Sequence, residues 1–225
     1  ADPVRPDQGP DYLPVQVRAV PGSDGFLALP SLPLPMPPLV LASSSPRRRD
    51  LLARLGVEPA RIAAPAIDET PRPRELPRAY ALRLAVEKAQ AVDRGSDEVV
   101  LAGDTTIALG RRILPPAETE AVQRELLGLL SGRRHHCLSA VCVIAADGQV
   151  RTRLSDTIVA FKPLSPAEVD AYIACGEGLG KAGGYAIQGR AEAFVRFLHG
   201  SHSGVIGLPL FESRALLRTA GLPLA

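Results

Sequence analysis

Three serines, a proline and arginines stand together where an apolar segment meets a helical pattern. The apolar run 39–42 predicts a buried strand, and leucines at helical spacing follow from position 51. Between the two, the serines at 43–45 offer a cap, Pro46 suits a first helical turn, and Arg47 and Arg48 come next. The positive end of such a helix would face the same place as the arginines, which indicates an anion site suited to phosphate. An ordinary capped helix with solvated arginines is the alternative.

Acidic residues form a second candidate group. Asp104 follows the apolar run 99–102, and Gly103, Asp104 and Thr105 are expected to break that strand. A carboxylate just beyond a buried strand can be a catalytic group or a metal ligand, and it can equally be a turn residue that bonds its own backbone. Asp68 and Glu69 are two further acidic residues on a predicted loop, where such side chains are ordinarily exposed to solvent without a functional role.

A lysine and a glycine-rich segment complete the set. Lys88 falls among apolar residues of a helix predicted over 76–92, where a lysine ordinarily extends its amine to water. In 180–189, four glycines let the backbone approach a ligand, and Gln188 offers a donor and an acceptor suited to the edge of a base, although a flexible loop is the alternative. Hydrolysis of a phosphoanhydride needs cations for the phosphates, carboxylates for a divalent metal and a base that orients water.

The elements that must position these groups alternate between strand and helix patterns. Besides 39–42, strands are predicted over 60–64, 98–102, 106–109, 136–145, 150–161 and 194–198. Besides 76–92, helices are predicted over 117–130 and 208–219. A further helix is predicted to begin at Pro46 and to end at Gly56, and another is predicted to begin at Ser165. The order of these elements predicts an α/β domain of the mixed α+β kind, with a mixed sheet.

Composition sets the outer limits of function. The 225 residues carry a net charge of +2, which is too small to argue for nucleic acid, and no apolar run reaches membrane-spanning length. Three cysteines without metal or redox spacing suggest reduced thiols in the cytoplasm.

Residues 1–38 are rich in proline and have no hydrophobic period or signal-peptide pattern. We therefore expect a disordered extension before a domain over 39–225. Met36, the only methionine, marks a candidate start of the folded part.

The motifs, in their order, resemble those of the Maf family of nucleotide pyrophosphatases. The resemblance runs from about Leu39 to Leu224. It is carried by Ala42-Ser-Ser-Ser-Pro-Arg-Arg48, Asp68-Glu69, Glu87-Lys88-Ala89, Gly103-Asp104-Thr105, Ser131-Gly132-Arg133, Lys181-Ala182-Gly183, Tyr185-Ala-Ile-Gln-Gly189, Gly200-Ser201 and Val205-Ile-Gly-Leu-Pro209.

The resemblance implies a fold, a reaction and a set of roles. The fold would be two-lobed, with a twisted mixed sheet flanked by helices around a central cleft, and commonly a homodimer. The reaction would cleave a nucleoside triphosphate to the monophosphate and pyrophosphate, with Mg²⁺ or Mn²⁺ as cofactor. By position, Asp104 would be the proton acceptor, Glu69 and Lys88 would join it in catalysis, and Asp104 and Glu69 would be the metal ligands. The implied substrate contacts are Ser43, Ser45, Arg47, Arg48, Thr105, Lys181 and Gln188.

Three of these positions bear on which nucleotide base the enzyme would accept. The subgroup that resembles this chain most, acting on dTTP and UTP, has Arg, Thr and Gln where Arg47, Thr105 and Gln188 stand, and the subgroup acting on 7-methyl-GTP differs there. The leading hypothesis is a pyrophosphatase that removes unwanted or modified nucleotides. A nucleotide-binding regulator of cell division and septum formation with weak or no turnover is the alternative, and a pyrophosphatase of different base choice is a third.

Two positions depart from the family pattern. Pro116 stands where a lysine is usual, and Gly204 stands where an asparagine is common. A proline offers neither charge nor an amide donor, so we expect a slower enzyme. Arg111 or Arg112, a few residues earlier, is a candidate to supply the missing charge.

Overall fold

The computed structural model describes residues 36–224. This part of the chain forms one sheet of seven strands with six α-helices around it. The strands are β1 (Leu39–Ala42), β2 (Arg61–Ile62), β3 (Val99–Leu109), β4 (Arg112–Leu114), β5 (Arg134–Ile144), β6 (Val150–Phe161) and β7 (Val195–His199). The helices are α1 (Pro46–Ala53), α2 (Pro77–Gln90), α3 (Glu120–Leu130), α4 (Pro166–Ala174), α5 (His202–Ile206) and α6 (Leu210–Thr219), with a short 3₁₀ helix at Arg190–Phe194.

The sheet is mixed, as the sequence predicts. Its order is β2-β1-β3-β5-β6-β7, and β4 pairs with β3 beside this path. β1 runs parallel to both β2 and β3, whereas β3, β5, β6 and β7 pair antiparallel in succession. The predicted fold class, an α/β domain with a mixed sheet and flanking helices, is therefore confirmed.

β3 corrects one prediction and explains where the site forms. The expected break at Gly103–Thr105 is wrong, because β3 is continuous from Val99 to Leu109 and pairs with β5 from Val100 to Ala108. On the opposite edge, β1 accompanies β3 only up to Ala102, and β4 joins it only from Ile107. Among the described residues, 103–106 thus have no strand partner on that edge. Asp104 lies inside this gap, where other groups can approach the strand.

Helix α2 covers one face of the sheet and brings a lysine with it. Its sheet-facing side is made of small residues at helical spacing, Ala81, Ala85 and Ala89, all buried. Small side chains let the helix lie close to β3 and β5. Lys88 lies on the same side and is only 7% exposed, so its amine turns inward and does not extend to water. The other face of the sheet packs against a larger apolar cluster that includes residues of α1, α3, α4 and α6.

Two local predictions from the sequence are confirmed, and two short elements were not predicted. Ser165 and Glu168 form the predicted capping box at α4, and the hairpin of β5 and β6 turns at Asp147-Gly148. The sequence patterns gave no sign of β4 or α5. No helix within residues 36–224 is long and apolar enough to cross a membrane. The extension predicted over 1–38 falls almost wholly outside the described residues, so both it and the proposed boundary stay predictions.

Candidate active site

Lys88 lies between two carboxylates at the gap in the sheet. Its Nζ is 2.8 Å from Oδ1 of Asp104 and 2.9 Å from Oε2 of Glu69. Asp104 is 5% exposed, whereas the side chain of Glu69, on the segment between β2 and α2, is 54% exposed. A buried carboxylate is costly unless it is paired, and Lys88 supplies the pairing charge. The structure thus brings together the three side chains proposed for catalysis.

Thr106 holds the other oxygen of Asp104. Its hydroxyl donates to Oδ2 at 2.8 Å, and it is itself buried. Asp104 and Thr106 lie two residues apart on β3, so both side chains point to the face covered by α2. An ionised carboxylate has about four lone-pair positions, and these two bonds leave room for a further donor such as water.

The arginines of α1 are held by distant carbonyl groups. Arg48 donates through Nε to the carbonyl of Gly207 at 2.9 Å and through Nη1 to Oγ of Ser43 at 3.1 Å. Arg47 donates through Nε to the carbonyl of Ile206 at 3.4 Å. These carbonyls come from the end of α5, so the start of α1 and the end of α5 lie side by side. The contacts hold both guanidinium groups in place, and both arginines line the same cavity as Asp104.

The predicted serine cap is only partly correct. Ser45 occupies the N-cap position of α1, but its side chain makes no capping bond. Oγ of Ser43 instead accepts from the amide of Ser45 at 3.2 Å as well as from Arg48. Ser43 is buried and therefore supports an arginine rather than lining the cleft, while Ser45 lines it.

Thr105 points to the opposite face of β3 from Asp104. Its hydroxyl lies 3.4 Å from the carbonyl of Gly207, 3.5 Å from Nη2 of Arg48 and 3.4 Å from Oγ of Ser139. Ser139 pairs with Thr105 across the ladder to β5 and also donates to the carbonyl of Gly204 at 2.5 Å. Thr105 thus ties β3 to the segment that holds the arginines.

The glycine-rich segment closes the cleft from the other side. Lys181 donates through Nζ to the carbonyl of Glu177, and both Lys181 and Gln188 line the cleft. Hydrogen bonds to the core hold the segment in place: the hydroxyl of Tyr185 shares a 2.8 Å hydrogen bond with Nε2 of the buried His135. The hydroxyl of Tyr172 accepts from the amide of Ala186 at 2.9 Å. These bonds favour an ordered segment over the flexible loop.

All the predicted site residues except Ser43 line one cavity of about 180 Å³. A neighbouring cavity of about 620 Å³ shares part of this lining, so Asp104 lies where the two cavities meet. The shared residues are Glu69, Asp104, Thr105, Pro116 and Ala182. The structure therefore brings the sequence-predicted residues together at a single site.

Three cations of the cavity, Arg47, Arg48 and Lys181, form no salt bridge with a carboxylate among the described residues. Burial lowers the pKa of Arg47 and of Arg48, and Asp104 offsets part of the effect at Arg48. Burial and the charge of Arg47 lower the pKa of Lys181. Each shift means that an additional negative charge in the cavity would stabilise the charged form of these side chains. The electrostatics of the site thus favour an anionic guest, in agreement with the phosphate site that the sequence suggests.

Comparison with known proteins decides the family. The family model described as Maf-like protein matches residues 38–220. The chain belongs to the Maf family. Among relatives of this Maf protein, one from Sphingopyxis alaskensis is 70% identical over 84% of this chain and 100% of its own length, and one from Novosphingobium aromaticivorans is 60% identical over 83% and 93%. One from Caulobacter vibrioides is 55% identical over 82% and 96%, and all three carry the name dTTP/UTP pyrophosphatase.

Within the described chain, the acidic side chains of this Maf site are two, Glu69 and Asp104. Across residues 36–224, no group of three or more His, Cys, Asp or Glu side chains could hold a metal ion. Mg²⁺ is ordinarily bound through one or two carboxylates and the phosphate oxygens of a substrate. Asp104 and Glu69, which meet at Lys88, fit that mode of binding.

Pro116 does lie at the Maf cleft, whereas the two arginines suggested as its substitute, Arg111 and Arg112, are exposed and line neither cavity. Pro116 lines both cavities and forms a bridge with Ala182. Arg112 is exposed and pairs through Nη2 with Oε1 of Glu125 at 3.2 Å, and it lines neither cavity. Lys181 precedes the bridged Ala182, and its carbonyl accepts from the amide of Ala117 at 3.0 Å. The suggestion that Arg112 supplies the missing charge therefore has no geometric support.

Sequence reasoning missed several residues that support the site. Thr106 stands beside Asp104 and carried no motif of its own, although period-two alternation along β3 would have placed both on one face. The carbonyl of Gly207 contacts an arginine 159 residues away, which no local pattern could reveal. The glycine at position 207 was the available signal, and the structure accounts for it with a φ of 145°, a conformation that favours glycine.

Proposed function

We propose that this Maf protein hydrolyses nucleoside triphosphates to the monophosphate and pyrophosphate, with dTTP and UTP preferred. One observation carries the proposal: the buried carboxylate of Asp104 lines the same cavity as Arg47, Arg48 and Lys181. Cations offset the charge of a triphosphate, and a carboxylate can take the proton of an attacking water. The names of the relatives support the same reaction and substrates.

In the proposed mechanism, Asp104 accepts the proton of the attacking water. Lys88 and Thr106 fix its two oxygens, so that the carboxylate meets the water in one orientation. Arg47 and Arg48, held by backbone carbonyls, bind phosphate oxygens without first having to reorganise. A divalent cation would neutralise phosphate charge and activate the phosphoryl group, and Asp104 and Glu69 would hold it.

The choice of base is proposed to depend on Gln188, with Arg47 and Thr105. Gln188 is exposed and lines the same cavity as Arg47 and Thr105. Its amide can donate to one edge atom of a pyrimidine and accept from another. We assign Gln188 the hydrogen bonds to the base, and Arg47 and Thr105 the placement of the nucleotide.

The proposal is tested by pyrophosphate release from dTTP, UTP, dCTP, dATP, GTP and 7-methyl-GTP, with and without Mg²⁺ or Mn²⁺. We expect release from dTTP and UTP above the others and only with a metal. Arg48→Gln should lower kcat/KM by about 10- to 100-fold, the scale of a lost charge-assisted hydrogen bond. Arg49→Gln is the matched control, because Arg49 is exposed, pairs with Asp50 and lies outside the cavity.

Pro116 favours a second candidate function. A Maf protein without the usual lysine could bind nucleotide with little turnover and act as a regulator of cell division. Binding of dTTP without release of pyrophosphate from any triphosphate would contradict the enzyme and support the regulator. The homodimer and the cytoplasmic location implied by the sequence stay predictions.

A further inference from the structure

Arg83 joins helix α2 to the segment that carries Glu69. Residues 63–76 contain neither helix nor strand. The guanidinium of Arg83 donates through Nε and Nη2 to the two carboxylate oxygens of Glu75, each at 2.7 Å, and through Nη2 to the carbonyl of Thr70 at 3.2 Å. Nη1 donates to Oε2 of Glu87, one turn further along α2, at 2.9 Å. One side chain therefore contacts this segment at two separate points.

Further bonds fix the same segment beside Glu69. The hydroxyl of Tyr80, also on α2, donates to the carbonyl of Glu69 at 2.8 Å, and the guanidinium of Arg83 lies 5.4 Å from the centre of the Tyr80 ring. The carboxylate of Glu75 accepts from the amide of Arg72 at 2.9 Å. The backbone at Glu69 and on its C-terminal side is thus tied to the helix that carries Lys88.

The Arg83–Glu75 pair is built differently from a surface ion pair. The two side chains are 12% and 9% exposed, and the contact uses both carboxylate oxygens. Two-point arginine–carboxylate contacts fix orientation as well as distance. The pairing holds the pKa of Glu75 down at about 2, chiefly through the hydrogen bonds from Arg83.

Glu69 has little else to hold it. Its carboxylate is more than half exposed, and within the described part of the chain its hydrogen-bond partner is Lys88. From these contacts we infer that Arg83 is a positioning residue, which sets Glu69 against Lys88 and Asp104. The inference rests on the proposed function, because it gives Glu69 a part in the reaction.

A double-mutant cycle tests the inference. Arg83→Met should lower kcat for dTTP by about 10- to 100-fold, the scale for losing a residue that orients a ligand, with little change in KM. In a Glu69→Gln background the same substitution should cost less than about threefold, because a positioning residue has no effect once its target is removed. Equal losses in both backgrounds would overturn the inference and make Arg83 merely structural.

A matched arginine serves as the control. Arg61 also contacts a glutamate, Glu98, through both oxygens, at 3.1 and 2.8 Å, and lies outside the cavity. Arg61→Met should leave kcat and KM unchanged. If Arg83→Met does not fold, Arg83→Lys keeps the charge, loses the two-point contact and should still lower kcat; unchanged kcat there would overturn the inference.

Amide hydrogen exchange separates this inference from the proposed function. Arg83→Met should speed exchange at the amides of Glu69, Thr70 and Arg72, which are the amides that residues 69–72 carry, and leave exchange in β3 as it is. If the unsubstituted protein cleaves no triphosphate, the proposed function fails, and faster exchange would still support the positioning of Glu69. Unchanged exchange at 69–72 would overturn the inference whatever the activity.

Discussion

The ammonium group of Lys88 lies 2.8 Å from Oδ1 of Asp104, beside the edge of β3 that β1 and β4 leave uncovered. Both side chains are more than nine-tenths buried. Their meeting depends on two features of the fold: the small residues of α2, which let the helix lie close to the sheet, and the continuity of β3 through Asp104. A charged pair inside the apolar layer thereby comes to face a cleft lined with cations.

The first prediction concerns this pair. Lys88→Met should reduce the free energy of unfolding by about 3 to 5 kcal/mol, because it leaves the carboxylate of Asp104 buried without its partner. Adding Asp104→Asn to Lys88→Met should restore part of the loss. Urea denaturation measures both. Lys162→Met is the control, since the Lys162–Glu168 pair is about one-third exposed and should be worth at most about 1 kcal/mol. Equal reductions in the free energy of unfolding for Lys88→Met and Lys162→Met would show that the Lys88–Asp104 pair contributes no more than a surface pair.

The second prediction concerns base choice. Gln188→Ala should reduce the preference for dTTP and UTP over purine triphosphates by roughly one to three kcal/mol, because one edge of the base loses its partner. The measurement is the ratio of kcat/KM values across the nucleotide panel. Lys181→Ala serves for comparison, since it should lower kcat/KM for all triphosphates alike. A ratio that Gln188→Ala leaves unchanged refutes the assignment.

The third prediction concerns Pro116. Pro116→Lys should raise turnover, because it adds a cation next to Lys181 where charge builds on the leaving pyrophosphate. Arg112→Ala should leave turnover unchanged, because Arg112 pairs with Glu125 outside both cavities. Steady-state kinetics with dTTP decide both. No gain from Pro116→Lys in a folded protein would show that the position does not contact the phosphates.

The fourth prediction concerns stability and pH. Burial lowers the pKa of His135 to about 4, whereas the unfolded chain should titrate near the ordinary value of about 6.5. Between these values the unfolded chain binds more protons, so the free energy of unfolding should fall as pH drops from about 6.5 to about 4, by about 3 kcal/mol in all.

Denaturation across that pH range tests the assignment. His135→Phe should remove this part of the pH dependence. Tyr185→Phe keeps the buried imidazole and loses only its hydrogen-bond partner, so the dependence should persist. An identical slope in the parent and in His135→Phe would assign the effect to another group.

Sequence patterns predicted the fold class, and the family resemblance named residues that the structure places around one cavity, but neither predicted how Asp104 lies in β3. Gly103 and Asp104 look locally like strand breakers, and the antiparallel pairing with β5 overrides that local preference. The burial of Lys88 was equally undecided, because a lysine among apolar helix residues can extend to water or turn inward. Only the packing of α2 on β3 settles which of the two occurs.

Long-range contacts explain what the sequence could not provide. Arg83 contacts Thr70 and Glu75, which belong to a segment without any hydrophobic period, and so it carried no signal. Arg48 depends on a carbonyl 159 residues away. Arg112 shows the converse, because closeness in sequence to Pro116 suggested a contact, whereas Arg112 pairs with Glu125 outside both cavities.

Asp104→Asn tests the central claim most directly, because it keeps the shape of the side chain and removes its ability to take a proton. Pyrophosphate release from dTTP should fall by about two to four powers of ten. Binding of dTTP, measured by calorimetry on the same preparation, should persist through Arg47, Arg48 and Lys181. Release at the parent's rate by a folded Asp104→Asn protein would contradict the account.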